Sequence, residues 1–366
     1  MTSLVQRALR RAVRRRPPEG ALLLVVDGAG WILDEVAQQL TDNLSPAFGC
    51  RIASGNWALA THCTLHFMDR AWAWTDGVLD GVDPSNRLIG VWWHGRLDSP
   101  EPLIQAALRR LRARHDRFAR FQVTCSSGRQ TLEALGVPSE KIVTLPLGVD
   151  LKKFRPPSDG ASRSAARQAL GVGAGTAVIG CFQKDGNGWS EGAEPKLIKG
   201  PDILVDALTL LHARCPIHAV IPGPARGYVT RRLRKAGIPF SAPGMVSREE
   251  LPRLYHALDL YLSPSRDEGG PAGVLEAMAS GVPVASSRAG IPADLIEPGV
   301  NGLLVDVGDP EALASAAATL IESPELRSSL VQRGLASIQA YDWQRLTVRY
   351  AEELYVPLHM SSGNLS

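Results

Sequence analysis

Apolar runs alternate with helical periodicities along the whole chain. Ala21–Val26 is a continuous apolar run, the signature of a strand buried on both faces. Asp27-Gly28-Ala29-Gly30 interrupts it, and apolar positions then recur at helical spacing from Trp31 to Leu44. The same reading predicts strands at Thr64–Met68, Leu88–Trp93, Phe121–Cys125 and Ile142–Leu145, with helices at Leu103–Ala113 and Gln130–Leu135. A Pro- and Gly-rich break follows, from Pro146-Leu147-Gly148-Val149-Asp150 into Phe154–Gly160, and has linker composition. A second series then begins. Its predicted strands are Ala177–Phe182, Ile217–Ile221, Leu258–Leu262, Val282–Ser286 and Gly302–Val305. Its predicted helices include Pro201–Ala213, Arg248–Ala257, Gly273–Ser280 and Pro310–Ile321. Strand–helix alternation predicts an α/β protein with doubly wound, mostly parallel sheets. The domains are expected at 1–156 and 157–337, with a helical stretch, Trp343–Leu354, inside 338–366 that returns to the first domain.

Size and composition support this reading and narrow the function. A chain of 366 residues is too long for one ordinary core and suits two α/β domains. Hydrophobic content of 45% and charged content of 21% are those of a globular protein rather than a disordered one. Cys50, Cys63, Cys125, Cys181 and Cys215 are scattered, with no C-x-x-C pair, which argues against a disulfide framework or a zinc site. The absence of a long apolar run or an N-terminal apolar core leads to an expected cytoplasmic location. A net charge of +3 gives no sign of a nucleic-acid partner. Residues 1–16, however, hold six arginines and no acid, with Leu4, Val5, Ala8, Leu9, Ala12 and Val13 at helical spacing. Two readings stand: a solvated or self-packed arm, and a peripheral contact with anionic lipid at the inner membrane face. The first is preferred, because the apolar face is small and lacks an aromatic anchor.

The chemistry concentrates between Leu258 and Pro283. A strand ends near Ser265, a loop Arg266-Asp267-Glu268-Gly269-Gly270-Pro271-Ala272 follows, and a helix starts at Gly273. Ligands of open α/β sheets bind where such loops leave the carboxyl ends of strands. Gly269 and Gly270 let the backbone approach a ligand. The helix start offers N–H groups and a positive dipole end, which suits a diphosphate. Glu268 precedes this anion site and Glu276 lies one turn inside the helix. Carboxylates accept hydrogen bonds only, so they suit sugar or ribose hydroxyls rather than phosphate.

Glu268 to Glu276 is an E-x7-E motif. With the following Ala277-Met278-Ala279-Ser280-Gly281-Val282-Pro283-Val284 it resembles glycosyltransferase family 4, of the GT-B fold. Lys199-Gly200-Pro201-Asp202 resembles the family's lysine–glycine element; Gly223-Pro224, Gly244-Met245-Val246 and Asn301-Gly302-Leu303-Leu304-Val305 match further elements. The resemblance runs from about Leu88 to the end and is weaker over residues 1–87. It implies two Rossmann-like domains facing a cleft, and a retaining transfer of a sugar from a UDP- or GDP-type donor to a hydroxyl acceptor. Glu276 then binds ribose and Glu268 a hydroxyl of the donor sugar. The backbone of Gly269, Gly270, Pro271, Ala272, Gly273 and Val274 faces the sugar and diphosphate. Lys199 neutralises the departing diphosphate, Met245 lies by the base, and His94 reaches the donor sugar from the first domain. No D-x-D occurs in the chain, so no metal or other cofactor is expected.

Three departures change the picture. The family's arginine after the first strand of the second domain is missing from Gly180-Cys181-Phe182-Gln183-Lys184, which makes Lys184 a candidate replacement and leaves the second diphosphate contact open. The loop after Glu268 reads Gly-Gly-Pro-Ala rather than the commoner Gly-Phe-Gly. The insert Asp185–Pro195 is long and polar, a candidate flap. On the acceptor side, Gly28, Ala29, Gly30 and Trp31 follow a strand, and Trp31 is the best candidate for an aromatic platform. Trp57, Trp92 and Trp93 share the same stretch of chain, and Trp72 and Trp74 read as core. The rivals are an epimerase or phosphorylase on the same fold and a non-catalytic carbohydrate-binding protein. An oxidoreductase is weakly signalled, because Leu33 stands where G-x-G-x-x-G needs its third glycine.

Overall fold

The computed structural model describes residues 16–28, 32–68, 77–188 and 191–360, with 359 and 360 described by backbone alone. Residues 1–15 of the basic arm, Ala29, Gly30, Trp31, Trp72, Trp74 and Trp189 lie outside the described residues. The chain forms two compact units: Met1–Gly148 with Trp343–Ser366, and Val149–Asp342.

In the first unit β1 (Leu22–Val25), β2 (Arg51–Ala53), β3 (Thr64–Phe67), β4 (Arg87–Trp92), β5 (Arg120–Val123) and β6 (Ile142–Thr144) make one sheet in the order β2-β1-β3-β4-β5-β6. Every neighbouring pair is parallel. Apolar runs form the strands because both faces are covered. Ile104, Leu108 and Leu111 of helix Pro102–Arg114 and Leu132 of helix Ser126–Ala134 share one core with Leu23, Leu65 and Phe121. β2 escapes prediction because it is a short edge strand with Arg51 and Ile52 exposed. The strand order reverses at β1, so the carboxyl ends of β1 and β3 flank the switch point of this sheet.

The C-terminal segment packs on the same unit. The helix Trp343–Arg349 widens into a π-helical turn, Tyr350–Tyr355, before Val356–Met360. Two buried polar contacts fix it. His66 Nδ1 on β3 lies 2.9 Å from the Tyr355 hydroxyl, and Gln122 Nε2 on β5 donates to the Tyr350 hydroxyl at 2.6 Å. Complete burial pushes the His66 imidazole down to about 3.

In the second unit β7 (Ala177–Gly180), β8 (Ile217–Val220), β9 (Phe240–Ser241), β10 (Leu260–Ser263), β11 (Val284–Ser287) and β12 (Leu303–Val305) form another all-parallel sheet. Its order is β12-β11-β10-β7-β8-β9, which places the switch point between β7 and β10. Among the described residues no helix is long and apolar enough to cross a membrane.

The unit boundaries lie at 148/149 and 342/343 rather than at 156/157 and 337/338. The reason is local packing. Phe154, inside the expected linker, is buried against Tyr255 of the second unit, ring centroids 5.8 Å apart. Val149 N–H donates to Tyr341 O at 2.9 Å and so begins the second unit. Just beyond the linker lies an unpredicted helix, Gly160–Ala169, capped by Asp159 accepting from Ser162 N–H at 2.7 Å. That helix has no buried residue; Arg163 and Arg167 hold it by ion pairs to Asp259 at 2.6 and 2.8 Å. Apolar periodicity therefore had nothing to detect.

Candidate active site

The carboxyl ends of β7 and β10 bring Lys199 and Glu268 together, with Glu276 on the helix that follows β10; Met245 lies apart, after β9. Lys199 closes a short turn whose last member, Gly200, has φ +65°. A Cβ on Gly200 would lie 2.0 Å from Pro264 O, so only glycine lets this turn press on the exit of β10. The contact is stitched by Arg266 and Asp267 N–H, which donate to Ile198 O at 2.8 and 3.1 Å. Arg266 also forks onto Asp202 at 2.7 and 2.6 Å. Lys199 Nζ consequently meets Glu268 Oε2 in an ion pair whose side chains are 16% and 7% exposed. The two residues assigned to the diphosphate and to the sugar hold each other.

Glu276 lies one turn inside the helix Ala272–Ala279 and is 5% exposed. Its carboxylate accepts from Arg248 Nη1 at 2.7 Å and from the Tyr255 hydroxyl at 2.6 Å. Burial, then the charge of Glu276, pushes the Tyr255 phenol well up, so Tyr255 stays a donor. Neither partner follows from the motif. A signal existed in the spacing of Arg248 and Tyr255, two helical turns apart in the predicted helix Arg248–Ala257. The helix itself is shorter, Leu251–Ala257, and Arg248 precedes it.

Between the two glutamates, Gly269 and Pro271 are buried and Gly270, Ala272 and Gly273 are half-buried. A Cβ on Gly273 would sit 2.1 Å from the Tyr261 hydroxyl, so the helix start lies tight on β10. Its first N–H groups have no acceptor within the helix. Val274 differs from expectation. Its side chain is fully buried and its N–H donates to Pro271 O at 2.9 Å, so it serves the core and the turn rather than presenting a donor.

Beyond β7 the backbone reaches Gln183, whose Nε2 donates to Lys199 O at 2.6 Å while its Oε1 accepts from Ser265 at 3.1 Å. Lys184 follows, half-buried, its ammonium pKa lowered by burial. The base of the insert after it is docked, while Asn187, Gly188, Glu191, Ala193 and Glu194 are exposed. Asp185 is fully buried, 3.2 Å from the Arg226 guanidinium, and Gly186 bridges to Pro195. A Cβ on Gly186 or Gly192 would lie 2.1 or 2.2 Å from Ala225 O. Arg226 also donates to Cys181 O at 3.1 Å and to Gln183 O. Polarity predicts an exposed loop; one buried ion pair and two glycines fix its base. Arg226 is spent on this backbone and does not stand in for the missing arginine. Met245, after β9, is 69% exposed and open to a ligand. Among the described residues no three His, Cys, Asp or Glu side chains come together as a metal site.

In the first unit Gly28 follows β1 at the switch point, exposed and with φ +67°. His94 follows β4, half-buried. Trp92 and Trp93 are buried, and their indole N–H groups donate to Gly95 O at 3.2 Å and Met68 O at 2.6 Å. They are framework, not a platform. Trp57 packs edge-on against Phe67 at 5.5 Å.

Residues 194–336 match the family model described as Glycosyl transferases group 1. The chain is 31% identical over 239 residues to a lipopolysaccharide core biosynthesis mannosyltransferase, LpsB, of Rhizobium meliloti, covering 61% of this chain and 63% of that protein. It is 28% identical over 318 residues to a D-inositol 3-phosphate glycosyltransferase of Thermobispora bispora, covering 82% of this chain and 66% of the relative. The chain thus spans just under two thirds of the length of these relatives. Among solved structures, Anabaena Alr3699/HepE in complex with UDP-glucose aligns with a TM-score of 0.74 at 20% identity, over 91% of this chain and 99% of that one. A glycosyltransferase from Rickettsia africae aligns at 0.68 and 14% identity, over 92% and 99%. The structural likeness is one of fold, the two-domain α/β organisation of GT-B proteins.

Proposed function

We propose that this chain, whose residues 194–336 match the model described as Glycosyl transferases group 1, moves a sugar from a nucleoside-diphosphate donor to an acceptor hydroxyl. One observation carries the reading: Lys199, Glu268, a glycine-lined helix start and Glu276 converge at the switch point of a single parallel sheet. Glu276 accepts from the ribose hydroxyls and Glu268 from a hydroxyl of the sugar. The helix start and Lys199 take the diphosphate. As the bond from the anomeric carbon to the β-phosphate oxygen breaks, charge grows on that phosphate, and both groups stabilise it more in the transition state than before it.

The transfer we infer is retaining, by attack on the face the diphosphate leaves. The acceptor oxygen bonds to the anomeric carbon and its proton passes to a leaving-group oxygen. His94 keeps the role that the resemblance implies, contact with the donor sugar, and Lys184 a supporting charge for the diphosphate. With Lys199 and the helix start supplying the positive potential, turnover needs no divalent cation and is expected to be unchanged by chelators. A thermal-shift screen of UDP- and GDP-sugars tests the donor. UDP-glucose, held by the Anabaena protein of the same fold, is the first to try. A bound donor at a hundred times its Kd should stabilise by about 2.7 kcal/mol. An NMR assay showing an inverted product would overturn the retaining route.

A further inference from the structure

The reading of Glu276 as the ribose acceptor leaves open why its carboxylate already carries two donors. Arg248 occupies one oxygen and Tyr255 the other. An ionised carboxylate has about four acceptor positions, so two remain, the number a ribose diol needs. The two donors share one support. The Arg248 guanidinium lies over the Phe154 ring, 5.3 Å from its centroid, and the same ring meets Tyr255 edge-on. Phe154 is itself 1% exposed, so the platform is rigid.

We propose that Arg248, seated on Phe154, is the positioning residue that sets Glu276 for the ribose hydroxyls and thereby fixes the preference for ribonucleotides over 2′-deoxyribonucleotides. The inference rests on the nucleotide reading of Glu276. A nearly buried carboxylate deprived of its cation loses both its charge partner and one of its two anchors. The remaining Tyr255 bond lets the carboxylate swing, and the ribose meets an acceptor of undefined direction. A hydroxyl bonded to a fixed acceptor is worth more than one bonded to a mobile acceptor.

Calorimetry of the full chain with UDP against 2′-deoxy-UDP, and GDP against 2′-deoxy-GDP, tests this. The wild type is expected to prefer the ribonucleotide by about tenfold or more. Glu276→Ala should abolish the preference. Arg248→Met should reduce it to about threefold or less, and Arg248→Lys should recover part of it. The Arg248 side chain is 35% exposed, so these variants do not open a core cavity. General destabilisation would weaken both nucleotides together and leave the ratio alone. Full preference in Arg248→Met alongside its loss in Glu276→Ala would overturn the proposal and leave the donor site standing. Tighter ribonucleotide binding in Arg248→Met would overturn it too, by showing that Arg248 competes with the ribose. Unchanged preference in every variant would remove the ribose reading of Glu276, and the proposal with it.

Discussion

Lys199 and Glu268 are each other's partners, and on the proposed reading a donor competes with that pairing at both ends. A sugar nucleotide compensates both ends, since the diphosphate takes the lysine and a sugar hydroxyl takes the carboxylate. A bare nucleoside diphosphate compensates only the lysine and leaves Glu268 a shielded, unpaired charge. Glu268→Gln is therefore expected to tighten UDP or GDP binding severalfold while slowing transfer. The gain should vanish in a Lys199→Met background, because simple charge repulsion would persist there and a broken pair would not. Isothermal titration of the four proteins decides between the two. Lys199→Met alone should lower kcat about 10²-fold, the usual cost of removing one stabiliser of a developing charge. The motif spacing made Glu268, Glu276 and Lys199 legible in the sequence. Their pairing, and the roles of Arg248 and Tyr255, were not, because these groups meet across turns separated by dozens of positions.

At the scale of elements, strands buried on both faces announce themselves as apolar runs, and both sheets were readable for that reason. What escaped is either a short edge strand, as with β2 and β9, or a segment held by polar means. The helix Gly160–Ala169 hangs on Asp259, and the base of the insert after Lys184 on Asp185, Arg226 and two glycines. Asp185→Ala is expected to cost about 3 kcal/mol in urea unfolding, because it strands a buried guanidinium. Gly200→Ala should cost about 2 kcal/mol or more, since φ is positive and the new Cβ meets the carbonyl of Pro264. It should also weaken donor binding, as the turn that aims Lys199 must open. A thermal shift with donor present and absent separates the two effects.

The stability of the whole molecule carries a pH signature from the first unit. His66 is kept neutral by burial, its pKa pushed down to about 3 from 6.5. The unfolded chain takes up a proton below pH 6.5 where the folded one does not. The contribution of this group is thus complete above 6.5 and drains away as the pH falls toward 3. Between pH 7 and 4 the loss should approach about 3 kcal/mol, and His66→Gln should flatten that part of the profile. Chemical unfolding at stepped pH would show it, and an identical slope in the variant would count against it. The path of the chain itself was half legible: the return of the last helix was expected, the two crossing points were misplaced by several residues.

Those crossings have a further consequence. Val149 and Asp342, the first and last residues of the second unit, are bridged side by side. In the first unit Gly148 lies directly beneath the Trp343 indole, where a Cβ would come within 2.5 Å. Topologically, the second unit is an insertion whose two ends meet, and the host is interrupted at a seam that a single ring covers. A segment comprising residues 149–342 should therefore be excisable with Lys199, Glu268 and Glu276 in place, and on the proposed reading it is expected to bind a nucleoside diphosphate but transfer nothing.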